Sequence, residues 1–360
     1  MKYLIELNFK SGVHFGSDVA GYGVEQVQGY AHSDTIFSAL INTLASIRGI
    51  FEDKKWISGL LDSNGDDIVN VPFKVSSFGF VNSEAKENSE PTYMYYIPKP
   101  LTLPINITNE GEMRTYSKDF RKRKFISIDT YLKWIKGEPL DIKSILDTEL
   151  QSFWVEQPKT QHLTDSLTSA SQIYRTGLVF YLDTVKPFFI VDIDETIFTL
   201  DDFKKILNNL KYTGLGGRKT SGCGSFDFSE KDWFCLNVDD TNDHMKINQH
   251  FDKNKESARE VFKNIFAINS NSQYLFSTYF PSDINNEEPL AYSLVLRKGW
   301  FFSTSSYFQL KRQSCFMFGE GSVFESKMNG ALADVTPKGF TEHKIYRCGI
   351  PFTLPFCGAK

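Results

Sequence analysis

Cysteine is scarce in this 360-residue chain. The five that occur, at positions 223, 235, 315, 348 and 357, are odd in number, widely spread and nowhere spaced as CxxC. That argues against a disulfide framework and a thiolate zinc site, and predicts reduced, structural thiols. No apolar run approaches the roughly 18 residues that cross a bilayer. The opening MKYLIELNFK alternates like a strand instead of placing basic residues ahead of an apolar stretch. The expectation is a cytoplasmic protein with no membrane partner. Surplus positive charge is missing as well: a formal net charge of −4 does not suit a non-specific nucleic-acid binder, so any RNA contact has to come from local patches.

What is abundant is concentrated. Residues 214–226, GLGGRKTSGCGSF, hold five glycines and two adjacent cations without one acidic side chain. Glycines remove the Cβ that would hold a ligand away, and they let backbone N–H groups converge on phosphate oxygens. Within 214–224, Gly214, Gly216, Gly217, Gly222 and Gly224 shape the predicted loop. Arg218 and Lys219 supply charge, and Thr220 and Ser221 supply hydroxyl donors. In a Walker loop a strand precedes and a helix follows, with glycine directly before the lysine. Here a helix predicted over Asp201–Tyr212 precedes the loop, a strand over 223–228 follows it, and Arg218 separates Gly217 from Lys219. The same ordering disfavours a dinucleotide fingerprint. The plain alternative is a glycine turn that only lets backbones pack closely.

Along the chain, Tyr3, Ile5, Leu7 and Phe9 alternate with more polar neighbours, apart from Leu4, which predicts a half-buried strand. A loop carrying His14 and His32 leads to a helix with Ser33 as N-cap, running to about Arg48 with Gly49 as its stop. Strand character follows over Val71–Phe80, then a polar linker over 82–90. Two joined strands are expected over 178–193. Residues 91–140 resist a compact assignment and carry a cationic run, Arg114, Lys118, Arg121, Lys122, Arg123 and Lys124, broken only by Asp119. That run reads either as a solvated face or as a projecting insertion that grips a polyanion. Past Phe228, strands are expected over 233–238, 290–296, 300–302, 315–318 and 323–324, around a GEG turn at 319–321. The closing IYRCGIPFTLPF suits an edge or terminal strand. No helix in this half is as clear as the first two. The order strand, helix, strands, helix, strand over 1–230 is that of a ferredoxin-like domain, with a second α+β domain over 231–360.

Four stretches in this order, GVHFGSDVAGYGVEQVQGYAHSDTIFSAL, GLGGRKTSGCGSF, KRQSCFMFGEGSVFESKMNGALADVTPKGF and HKIYRCGIPF, resemble the RAMP-superfamily subunit that caps the foot of type III-A CRISPR Csm complexes. The HSDTIFSAL helix start and the pairing of GEGSVF with DVTPKG carry most of the specificity. The resemblance implies two tandem ferredoxin-like (RRM-like) domains, 1–230 and 231–360, with an insertion over about 81–160. It also implies a subunit without catalytic activity, cofactor or metal. Such a subunit holds the repeat-derived 5′ handle of the crRNA between the large polymerase-like subunit and the first backbone RAMP subunit. On this sequence the implied RNA contacts are the glycine loop 214–224 and, beside it, His14, His32, Ser33, Arg121, Lys122, Arg123 and Lys124. Residues 91–136 take the place of a thumb that wedges against the guide. One departure is that the arginine-rich stretch usual before 178–193 reads QHLTDSLTSASQIYRTG, where Arg175 is the only cation and His162 and Ser171 are weak substitutes.

Two other chemistries compete. Members of the same superfamily cleave repeat RNA without metal, and His14 and His32 flank a loop from which they could act as acid and base. Asp192, Asp194 and Glu195, or Asp239 and Asp240, invite a metal reading, but turn carboxylates are common at such positions. A pure assembly scaffold is the third possibility; it leaves Arg218 and Lys219 without a role.

Overall fold

A computed structural model describes residues 1–17, 24–51, 71–84, 90–104, 106–108, 110–164, 167, 169–237, 252–301 and 310–357. Asp239, Asp240, most of the polar linker and Phe302 lie outside the described residues. The fold is α+β and is built around one antiparallel sheet. Its strand order is Trp233–Cys235, Lys2–Glu6, Val185–Ile193, Gly79–Glu84, Thr92–Pro98, Phe125–Ser127, with Phe73–Val75 also paired to Val185–Ile193. Lys2–Glu6 lies between two partners, with Leu4 opposite Ile190 on one side and Phe234 on the other.

Both faces of that sheet are covered. Tyr3, Ile5, Phe73, Phe189 and Val191 pack against the helices Ser33–Ser46 and Leu200–Thr213. Leu4, Val81, Tyr95, Phe188 and Ile190 pack on the other face against the helices Ile128–Lys136 and Glu256–Ala267 and the C-terminal strands. The first strand is therefore buried on both sides, not half-buried as its alternation suggests. Glu6, one of the polar neighbours in that alternation, is only 1% exposed. Lys255 donates to it at 2.8 Å and the Tyr95 hydroxyl at 2.5 Å. Burial pushes the Glu6 carboxyl up, against the opposing pull of Lys255.

The helix ahead of the glycine loop forms as its sequence dictates. Thr199 accepts the Asp202 N–H at 3.2 Å, the Asp202 carboxylate accepts the Thr199 N–H at 3.4 Å, and Gly214 (φ 82°) ends the helix. The first helix departs from expectation. His32, not Ser33, occupies the N-cap, and the chain continues past Ser46 into a 3-10 turn, Arg48–Phe51, that contains Gly49.

The insertion is corrected more deeply. Thr92–Pro98 and Phe125–Ser127 are strands of the central sheet, and Tyr131 and Trp134 are fully buried in its second core. Residues 91–136 thus do not project. The element that stands off the core is a hairpin of Trp154–Thr164 and Ser171–Tyr181, eleven residues a strand, paired from Trp154↔Tyr181 to Thr164↔Ser171. At about 3.3 Å per residue it is roughly 36 Å long. Ile173 near its far end is 72% exposed. The two strands expected over 178–193 exist but do not pair with each other, since Val185–Ile193 joins the central sheet instead.

In the C-terminal half the helix Glu256–Ala267 was not anticipated, although Ala258, Phe262 and Ile265 recur at helical spacing on its buried face. Pro289–Ala291, Val323–Phe324, Gln273–Leu275 and Thr353–Pro355 form a four-stranded sheet in that order, with Thr353–Pro355 at an edge as predicted. Leu294–Arg297 with Cys315–Phe318, and Leu332–Asp334 with Tyr346–Cys348, form separate ribbons. A boundary at 230/231 would strip Trp233–Cys235 from the central sheet, so the first unit extends past it, and the two halves share the second core.

Candidate nucleic-acid interface

The glycine loop is a strapped turn. Gly214, Gly216, Gly222 and Gly224 all have left-handed φ, and Arg218 (φ 56°) joins them despite its Cβ. At Gly224 a Cβ would run into the carbonyl of Leu215. The Leu215 amide donates to Gly224 at 2.8 Å, the Gly217 amide to His14 at 2.8 Å and the Gly224 amide to Gly12 at 3.1 Å. Most of the loop's N–H groups are therefore spent on the protein's own carbonyls, those of Gly217 and Gly224 on residues 12–14 and the others within the loop or at the helix end, instead of converging on a phosphate. What remains for a ligand is the tip. Lys219–Ser221 form a single 3-10 turn, exposed together with Gly222. Among the described residues, the Lys219 and Thr220 amides take no backbone acceptor. Protein mass around the Lys219 ammonium draws its pKa down even though the residue reaches solvent. An incoming anion would reverse that.

Arg218 ties the loop to the hairpin. Its Nη1 donates to Gln161 at 3.4 Å and its guanidinium lies 5.8 Å from the centre of the Tyr174 ring. Lys159 and Arg175 are exposed on the same hairpin. Sequence reasoning missed Gln161, Tyr174 and Lys159. The signal available was two runs of equal length flanking TDSLTSA, a turn-rich spacer.

The N-terminal residues expected to touch RNA are instead struts. His14 is 6% exposed and donates from Nδ1 to the Gly177 carbonyl at 2.9 Å, bridging hairpin and glycine loop. His32 is 1% exposed and pairs with Glu320 of the GEG turn at 2.6 Å. Burial alone would raise the Glu320 carboxyl, but His32 outweighs it and holds it low. Ser33 bonds Thr278 through Oγ at 2.9 Å. Asp34 is held in a bidentate pair by Arg297, at 3.0 and 3.1 Å, and also by Arg347. HSDT is thus the polar joint between the two halves, and the burial of His32 and Ser33 corrects their assignment as guide contacts. Because His14 and His32 serve different joints, purified protein should leave a repeat RNA uncut. Cleavage that disappears in an H14A/H32A double variant would reverse this.

The cationic run divides. Arg121, Lys122 and Lys124 are exposed, with Lys122 near Asp119 at 3.6 Å. Arg123 turns inward and donates to the carbonyls of Leu146 (2.8 Å) and Glu149 (3.1 Å), closing the end of the helix Ile142–Thr148, so it is removed from the guide contacts. The run ends the helix Glu110–Lys122, whose Phe120 packs in the second core, whereas the helix before the glycine loop packs in the first. The two basic features lie on opposite sides of the central sheet. Asp192 pairs with the N-terminal amine at 3.3 Å and Lys2 at 3.0 Å, Asp194 accepts the Thr196 amide at 3.1 Å, and Glu195 meets Tyr3. Among the described residues, no His, Cys, Asp and Glu cluster gathers to hold a metal.

Residues 268–356, which contain Arg297, Glu320 and Arg347, match the family described as CRISPR Csm4 C-terminal domain. Over these residues the chain is of the Csm4 type. It is 21% identical over 257 residues to the CRISPR system Cms protein Csm4 of Streptococcus thermophilus, covering 68% of this chain and 71% of that one. Two solved structures share its fold. One is a crystal structure of a Csm1-Csm4 cassette in complex with AMPPNP (TM-score 0.54, 14% identity, 100% of both chains). The other is the Csm3-Csm4 subcomplex in the type III-A CRISPR-Cas interference complex (TM-score 0.51, 18% identity, 99% of both chains). The Csm4 match takes in the whole four-stranded C-terminal sheet, in the half where local periodicity is weakest.

Proposed function

We propose that this Csm4-type chain is the non-catalytic, guide-holding end subunit of a type III-A CRISPR ribonucleoprotein. Its ligand is the repeat-derived 5′ handle of the crRNA, and its neighbours are the large polymerase-like subunit and the first backbone RAMP subunit. The observation that carries the RNA reading is the exposed tip Lys219–Gly222, fixed through Arg218 beside a long exposed hairpin. Lys219, Arg218, Lys159 and Arg175 neutralise phosphates, Thr220 and Ser221 donate hydroxyls, and unstacked bases lie against Tyr174 and Ile173. The hairpin 154–181 takes the wedge role that the sequence assigned to 91–136. The strand order of the central sheet supports a ferredoxin-like first domain, since its four outer-to-inner strands follow the order 4-1-3-2 around the helices Ser33–Ser46 and Leu200–Thr213. The relatives solved as Csm1-Csm4 and Csm3-Csm4 assemblies support the choice of neighbours.

Co-expression with the neighbouring genes, followed by 5′-end sequencing of the RNA that purifies with a tag on this chain, tests the reading. A uniform 5′ end of constant repeat nucleotides is expected; mixed ends or no RNA would leave the scaffold alternative ahead. With about four phosphate contacts at roughly 0.7 each, log affinity for a single-stranded handle should fall with log salt at a slope near −3. A salt-independent constant contradicts the proposed contacts.

A further inference from the structure

Three guanidinium groups gather where the C-terminal half meets the first helix. Arg297 and Arg347 share Asp34, which is fully buried in the first turn of the helix Ser33–Ser46, and Arg347 also donates to the Lys298 carbonyl at 2.6 Å. Arg312 is the third. Its backbone amide donates to Gly299 at 2.9 Å, but its side chain makes no hydrogen bond or ion pair among the described residues, and its Nε is sealed from water without an acceptor. Burial, then the nearness of Arg347, draws its pKa down to about 10. Asp34 is the carboxylate the described residues offer to this group, and both of its oxygens are already taken. A half-buried guanidinium left unanswered beside two others is costly, and an anion seated on its fork relieves that cost. The positive end of the helix dipole at Asp34 adds to the same field.

The ribbon that carries Arg312 favours RNA as the source of the anion. Trp300 pairs with Lys311 across it and is 59% exposed, with the Lys311 ammonium 5.3 Å from its ring centre. An aromatic plane with interleaved cations suits an unpaired base next to its phosphate, whereas an acidic side chain has no use for the plane.

We infer that Arg312, backed by Arg297 and Arg347, is a phosphate subsite for single-stranded RNA in the C-terminal half, distinct from the glycine loop. This rests on the RNA-holding reading above. The subsite extends the RNA path across the joint, so that binding fastens the two halves as well as the tip.

The test compares wild type, Arg312→Gln, Arg312→Lys and Lys219→Ala in the full chain. It reads binding of a fluorescein-labelled single-stranded repeat RNA against KCl, and melting temperature in phosphate against chloride at equal ionic strength. Arg312→Gln should weaken RNA several-fold, flatten the salt slope by about 0.7, abolish the phosphate-specific rise in melting temperature, and leave stability in chloride unchanged or higher. Arg312→Lys keeps the charge but not the fork, so it should weaken binding at an unchanged slope. RNA affinity and slope unaltered by Arg312→Gln, with Lys219→Ala weakened, overturn the subsite and leave the glycine-loop reading standing. Loss of the phosphate effect with RNA binding intact also overturns it, because the site then takes free phosphate and not the RNA backbone. A wild type that binds no RNA sinks the guide-holding reading and the subsite together, which the Lys219→Ala arm separates from failure of the subsite alone.

Discussion

Asp34→Asn is expected to cost about 3–5 kcal/mol of stability, read as a lower urea midpoint with an unchanged slope, because it strands the buried Arg297 and Arg347 guanidiniums. The effect has a pH signature. Burial alone would raise the Asp34 carboxyl, but Arg297 and Arg347 outweigh it and hold it well below the usual carboxylate range. With the folded pKa depressed, the unfolded chain takes up the proton first as acid is added. Asp34 therefore stabilises the fold fully above about pH 4, and this contribution is lost as the pH falls through the folded value. The acid limb of stability should be flatter in the variant. Equal midpoints for variant and wild type at neutral pH would show that the joint contributes nothing net.

Changing Arg218 and Lys219 together should weaken single-stranded handle RNA by about 100-fold, as expected for two lost charge-assisted contacts. The salt slope should flatten by about 1.4. For Lys219→Ala alone the melting temperature should barely move, since the tip is exposed. The single variants separate two roles. Lys219→Ala removes only charge, while a change at Arg218 also releases Gln161 and Tyr174 and so frees the hairpin. Arg218→Gly is the cleaner choice there, because glycine accepts the left-handed backbone at that position. If the double variant still assembles with its neighbours and carries full-length guide, the loop is a packing turn and the chain is a scaffold.

Legibility in the sequence followed the range of the interactions. The helix Leu200–Thr213 was readable from the spacing of Phe203, Ile206, Leu207 and Leu210, from Asp201 and Asp202 in its first turn and from Gly214, because periodicity and a glycine stop act within a few residues. The glycine loop was readable because left-handed backbone leaves its mark on composition. The same composition did not reveal that Gly217 and Gly224 spend their amides on His14 and Gly12, some two hundred residues away in sequence. Arg123 looked like its neighbours in a basic run, and only the docking of the helix Ile142–Thr148 turned it inward.

The sequence by itself determined the two helices against the first face of the sheet, the glycine turn that follows the second, and the motifs that mark the Csm4 type. Each is set by local periodicity, capping or a short run of residues. The tertiary structure alone decided that Lys2–Glu6 is covered on both faces, that the hairpin 154–181 stands off the core while 91–136 lies within it, and that HSDT is a joint and not a surface. Those outcomes depend on strand pairing and on ion pairs such as Glu6–Lys255, Asp34–Arg297 and His32–Glu320. The partners in each are more than two hundred residues apart, so no local pattern in the chain records them.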